Sequence, residues 1–292
     1  MLAAFAVLSL LGSGRVAAQN YEEVAPVRPL TMSDPAGLTS IGLDFQYTRW
    51  TFHNPPAADI DFTALTFDVV ADIRLAPHWV VLGRVPFDKA TIDGDPANQD
   101  CCDLALGNLT LGVRGLWSAL YTGGLRSVVG GELSVSLPTA SDNGDKGQSA
   151  AQSAFAHLPQ DPGLYAPNTT TIRFNLLGQF YTRWLYLHGE LGPQLYIYDS
   201  DAGDDNLDVA LHLGLATGVR ITYTLALALE LNSLVFGSNE LGGDIDSATS
   251  VDVGLRYASG AALLGLRVYI PVDSGLRDLD MIGVGADAGL RF

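Results

Sequence analysis

Charged and titratable residues recur along this chain in alternation with apolar ones. Arg84, Arg114, Glu132, Arg173, Glu190, His212, Glu230, Asp252, Arg267 and Asp287 all occupy the polar phase of a period-two pattern. Set at similar depth inside a closed sheet, such groups form a charged constriction that orients or filters ions and polar solutes. The same groups could equally pair across the interior and simply fill it, since buried charges need partners; the sequence leaves both open. Arg74, Arg126, Arg183, Arg220, Arg256 and Arg291 share the polar phase but fall near one end of their segments. Nucleophilic catalysis fits poorly, because an activated Ser needs a neighbouring His. His188 and His212 lie in the polar phase, His53 and His157 in connections and His78 in a short turn, with no Ser partner on the apolar side.

Other candidate chemistry is sparse. Acidic groups cluster in the longer connections: Asp93, Asp95, Asp100 and Asp103; Asp142 and Asp145; Asp199, Asp201, Asp204 and Asp205; Glu240, Asp244 and Asp246. They either bridge divalent cations to lipopolysaccharide, bias passage towards cations, or are solvated loops, and none has the spacing of an EF-hand loop. Cys101 and Cys102 are adjacent, too few for a metal site, and either a loop disulfide or free thiols fit. No metal or other cofactor is expected. The net charge of −16, with 14 Arg and 2 Lys, excludes nucleic acid as a partner.

These groups need a sheet to position them. In the last thirteen residues, Ile282, Val284, Ala286, Ala288, Leu290 and Phe292 alternate with Gly283, Gly285, Asp287, Gly289 and Arg291. A terminal aromatic behind such a strand is the feature by which barrel-assembly machinery recognises outer-membrane barrels, which makes that machinery an expected partner. The alternation repeats over twelve segments, at 41–48, 65–75, 79–88, 108–117, 126–137, 172–184, 185–197, 207–220, 225–235, 250–257, 264–270 and 280–292. Their apolar faces carry no charge although 16% of the chain is charged. A lipid-facing Arg or Lys at mid-bilayer costs about 2–4 kcal/mol, so lipid explains that exclusion better than a soluble core does. Unpaired sheet edges are not tolerated in hydrocarbon.

The expected fold is therefore all-β: a closed antiparallel 12-stranded transmembrane barrel, an up-and-down meander, with outer-membrane lipid and lipopolysaccharide around it. Short connections after the even segments and long ones after the odd segments place both termini on the short-turn, periplasmic side. Trp79, Trp117, Trp184, Tyr257 and Phe292 fall at short-turn ends in the outward phase, and Trp50, Phe52 and Phe87 at the opposite ends, as two aromatic girdles. Residues 1–18 read as a signal peptide closing on Val16-Ala17-Ala18, although no Lys or Arg precedes its apolar core. Residues 19–40, with Pro26, Pro29 and Pro35, form a periplasmic lead-in that either tucks into the barrel mouth or stays a free tail, and 41–292 form the barrel. Beyond the leader no apolar run reaches 18 residues, which excludes helical spans.

Two stretches carry a family resemblance. Leu106 to Arg114, LGNLTLGVR, and Leu133 to Ala140, LSVSLPTA, resemble the GLGDLxLGxK-type strand and the LPTG strand end of the outer-membrane channels named for the MetA pathway of phenol degradation. Asn108 stands where Asp is usual and Ala140 where Gly is usual. The resemblance implies a monomeric outer-membrane channel, not an enzyme, for passive uptake of small molecules, aromatic or otherwise hydrophobic. The alternatives are a structural or adhesive barrel with a closed lumen and an outer-membrane lipid-modifying enzyme.

Overall fold

A computed structural model describes residues 29–32, 38–53, 59–93, 102–122, 125–198, 207–237 and 245–292. The leader and most of the lead-in lie outside the described residues, as do most of the acidic loop positions from Asp95 to Asp244. Twelve strands close into one antiparallel ring: β1 (Ser40–Phe52), β2 (Ile60–Ala76), β3 (Trp79–Asp93), β5 (Thr110–Thr122), β6 (Leu125–Ser136), β7 (Thr169–Tyr181), β8 (Leu185–Tyr198), β9 (Leu207–Arg220), β10 (Leu225–Phe236), β11 (Ser247–Ser259), β12 (Ala262–Pro271) and β13 (Ile282–Arg291). Each pairs with its sequence neighbour, and the ring shuts where Ile41 pairs with Leu290 and Phe45 with Ala286. A two-residue strand, β4 (Ala105–Leu106), only borders β3. No described helix is long and apolar enough to cross a membrane.

The alternation explains the closure. Outward positions such as Leu111, Leu215 and Leu266 are about 60% exposed or more, while inward neighbours such as Gln46, Glu230 and Asp252 are almost wholly buried. An apolar belt around a closed ring satisfies lipid on one side and every ladder hydrogen bond within the ring, which defines a barrel of the outer-membrane type. Trp79, Trp117, Trp184, Tyr257 and Phe292 all point outward at the short-turn end, with Trp79 and Trp117 edge to face at 5.9 Å.

Three expectations need correction. Trp50 does not join an outer girdle: it shares the parity of inward Gln46 and Thr48, is 3% exposed and stacks on Phe62 at 5.3 Å. β1 to β3 extend beyond segments 41–48, 65–75 and 79–88 at the long-loop end, and in those extensions charges face outward, as in the Arg49–Asp61 pair at 3.0 Å. The fourth spanning strand starts at Thr110 instead of 108, because the Asn108 side chain is turned inward to hold a loop.

Candidate functional site

The barrel interior is the candidate site. Inward charges meet between neighbouring strands and between strands one apart in the ring. Arg84 pairs with Asp68, Arg114 with Glu132 at 2.8 Å and Asp72 at 3.4 Å, Arg267 with Asp44 at 3.1 Å, and Arg256 with Asp287. Arg173 reaches Asp161 of the loop above at 2.6 Å, and His188 contacts Glu190 at 3.0 Å. Pairing is what makes charge tolerable in such a confined space. Around these pairs lies a cavity of about 170 Å³, also lined by Gln46, Ser134, Asn175, Gln194 and His212. Nδ1 of His212 and Oδ1 of Asn175 have no hydrogen-bond partner in the protein.

At the long-loop end an insert between β6 and β7 packs into the lumen. It contains a helix at Gly144–Ala156 and a 3-10 turn at Pro162–Leu164. Helix residues Ser149 and Ser153 donate to Asp88 Oδ2 at 2.7 and 3.3 Å. His157 at the helix end contacts Thr66 Oγ1 at 3.0 Å, and Tyr165 Oη donates to Asp68 Oδ1 at 2.7 Å. The root of the insert is Asn108. Its Nδ2 is shared among the carbonyls of Gly163, Ala166 and Thr169 at 2.8–3.2 Å, and its Oδ1 accepts from Ala140 N at 2.9 Å. Thr139 Oγ1 donates to Gly107 O at 2.6 Å, so the two stretches that carried the family resemblance are clasped together.

Over this insert the lumen is apolar. Trp50, Leu158, Tyr196, Leu234, Phe236, Tyr269, Leu276 and Met281 form one buried cluster with Phe62 and Phe155 against it. Burial pushes the pKa of His157, which lies in the loop and not in a spanning strand, down to about 3, with Arg84 and Arg267 adding repulsion. His53, at the rim, is raised instead through hydrogen bonds to Asp59 and Asp280.

Elsewhere in the lumen, residues 29–32 of the lead-in lie inside the ring. Glu230 Oε2 accepts from Thr31 N at 2.9 Å and Thr31 Oγ1 at 2.8 Å, and its other oxygen accepts from Leu30 N. Arg256 donates to Pro29 O, and Arg267 to Leu30 O at 3.2 Å. Leu30 and Met32 pack with Tyr186, Ala216 and Ala228.

The predicted constriction residues thus take distinct places. Arg84, Arg114, Glu132, Arg173, Glu190, His212, Arg267 and Asp287 line the cavity, whereas Glu230 and Asp252 lie beneath residues 29–32 or beside their anchor. Of the end arginines, Arg256 is buried and reaches a lead-in carbonyl, deeper than its place near a strand end implied. Arg183 is exposed over the rings of Trp184 and Tyr223 at 5.0 and 5.2 Å, so it does not face the lumen. Arg74 donates to Ala76 and Pro77 carbonyls and Arg291 to that of Gly260, both capping short turns. Arg126 and Arg220 are partly buried at that same end. The pairing carboxylates Asp44, Asp68 and Asp72 share the inward parity but were not singled out, and Asp161 and Asn108 sit in connections without a periodic signal. Cys102 is disulfide-bonded; Cys101 lies outside the described residues. Among the described residues no cluster of three His, Cys, Asp or Glu could hold a metal.

No protein-family model matches the chain, and no curated protein does. Solved structures are similar to it at low identity. The NanC porin is similar with 11% identity over 86% of this chain and 98% of that one, at a TM-score of 0.47. The autotransporter NalP translocator domain from Neisseria meningitidis is 8% identical over 88% of each chain, at 0.47. The KdgM porin complexed with oligogalacturonate is 9% identical over 87% of this chain and 99% of that one, at 0.42.

Proposed function

We propose that this chain is a passive channel of the bacterial outer membrane for small hydrophilic solutes, with a preference for cations. The lumen cavity carries this reading. About half of its lining residues carry charges or amides, and it presents five arginines against seven carboxylates (Asp44, Asp68, Asp72, Glu132, Asp161, Glu190 and Asp287). A polar wall in a narrow space exchanges readily with a hydrated solute and repels an anion when carboxylates are in excess. The aromatic or hydrophobic solutes that the family resemblance implies would have to strip water from those paired charges, which is costly. Expected partners are outer-membrane lipid, lipopolysaccharide at the rim, and the assembly machinery at the β13 end with its exposed Phe292.

A second reading, a structural barrel with a sealed lumen, draws on the loop insert and on residues 29–32, which fill much of the interior. Planar-bilayer recordings separate the two. A channel gives discrete conductance steps and a cation-selective reversal potential that weakens as salt is raised, because salt screens the wall charges. A silent membrane favours the sealed barrel, and an anion-selective or salt-insensitive potential removes the charge argument.

A further inference from the structure

The lumen wall that holds residues 29–32 treats them as a ligand. Glu230, 0% exposed, faces two successive main-chain N–H groups and a hydroxyl. Arg256 and Arg267 face the two carbonyls that precede those amides. Apolar side chains are received where the wall has none of its own: a Cβ on Gly254 would come 2.9 Å from Leu30, and one on Gly214 3.0 Å from Met32. The wall thus has an acidic pole, a basic pole and room for side chains beside them.

An independent observation shows binding capacity still unused. Asp252 pairs in register with Glu230 across β10 and β11 and is itself 0% exposed. Its Oδ2 takes Asn232 at 3.3 Å and Ser250 at 3.5 Å, while Oδ1 has no partner. The Nε atoms of Arg256 and Arg267 are likewise without partners. Two buried carboxylates side by side repel, and a main-chain amide carries no charge to offset them. An ammonium group does. Arg256 and Arg267 already hold one wall carboxylate each, Asp287 and Asp44, and at the positions now taken by the carbonyls a second carboxylate would bind more strongly, since hydrogen bonds between charged groups are roughly twice as strong as neutral ones.

We propose that the inner wall of β9 to β12 is a binding site for zwitterionic amino acids and short peptides, and that residues 29–32 are its resident occupant. The ammonium end is held by Glu230 and Asp252, the carboxylate end by Arg256 and Arg267, and small to medium apolar side chains sit over Gly214 and Gly254. The tether keeps the site filled until solute displaces it. This deepens the channel reading by naming a solute class, and it rests on that reading only for passage, not for binding.

The test uses the full chain in detergent micelles with Met32→Cys and Gly214→Cys, oxidised by diamide. The bridge is detected by the mass of the joined peptides, which the disulfide at Cys102 does not produce. A second pair, Met32→Cys with Ala216→Cys, guards against a fold defect at position 214. The probes are the dipeptide Leu-Thr, its N-acetylated amide, and glucose. We expect saturating Leu-Thr to slow bridging about tenfold, and the blocked peptide and glucose to leave the rate unchanged. In Glu230→Gln the protection by Leu-Thr should be lost. Equal rates with Leu-Thr and glucose, or no bridge in either pair without a competitor, overturn the proposal. Protection in a barrel that does not conduct sustains the site and removes the channel, whereas conduction without protection does the reverse.

Discussion

The loop insert leaves the wall at β6 and rejoins it at β7, adjacent strands, whereas Leu30 meets Glu230 across 200 positions of sequence. The two are also held by different forces. Around the insert, aromatic and aliphatic side chains pack in one large buried cluster, and the polar contacts, some to carboxylates such as Asp88 and Asp68 and others neutral as at Asn108, lie beside it. Around residues 29–32 the apolar contact is small and the anchors are a carboxylate and two guanidinium groups that grip main chain. Apolar burial accumulates with area and has no competitor in water. Charged anchors can be taken over by any solute that offers better charges. One part of the lumen therefore behaves as a protein core and the other as an occupied binding site.

Truncating each side should expose that difference. Trp50→Ala removes the largest ring of the buried cluster, stacked on Phe62 and 5.7 Å from Phe155, and should cost about 3–5 kcal/mol. Met32→Ala should leave the unfolding midpoint of the barrel nearly unchanged. Urea unfolding in lipid vesicles, read by tryptophan fluorescence and by heat-modifiable gel mobility, distinguishes them. Equal losses would mean that residues 29–32 belong to the core after all.

A narrower cut tests the root of the insert. In Asn108→Ala the carbonyls of Gly163, Ala166 and Thr169 and the Ala140 amide lose their partner. The two Nδ2 hydrogens are shared among the three carbonyls, so two donated bonds and one accepted bond, at about 1 kcal/mol each net, make undocking of the insert about 3 kcal/mol easier. The readout is larger and noisier conductance than wild type with the barrel intact. Unaltered conductance would show that the insert does not obstruct the path.

How far the sequence reached follows the same division. Period-two alternation made the spanning strands, their phase and their closure legible, because lipid acts on every second residue without exception in mid-bilayer. At Trp50 the rule is right and position along the strand misleads, since its parity with Gln46 and Thr48 places it inward. The inward charges were legible one by one, but their partners were not: Arg84 could have paired on either side, and the choice of Asp68 depends on register. Asn108 could not be found by periodicity, because a side chain that serves three loop carbonyls leaves no repeating signal. The seat of residues 29–32 is set by tertiary geometry alone, since nothing in Pro29-Leu30-Thr31-Met32 says which carboxylate it will meet.

Acid acts in opposite directions on the insert and on the rim at its end of the barrel. His157 is buried against Thr66 and the ring of Tyr165, 4.8 Å away, with Arg84, Arg267 and Asp44 among its charged surroundings. Its pKa in the docked loop is about 3 against an ordinary 6.5. A depressed pKa means that the undocked state takes up the proton first, so the docked state keeps its full stability above about 6.5 and loses it as pH falls towards 3. At pH 5 the difference corresponds to about 2 kcal/mol, from 1.36 kcal/mol per unit. Acid should therefore loosen the long-loop end, seen as rising conductance or faster proteolysis within residues 138–168 below about pH 6. His157→Gln, which keeps a polar contact to Thr66 but cannot titrate, should flatten that response. His53 runs the other way: its raised pKa makes its contacts with Asp59 and Asp280 strongest at low pH, so acid should tighten the outer rim while it frees the insert beneath. A wild-type response that survives in His157→Gln would assign the acid sensitivity to the carboxylates of the wall instead.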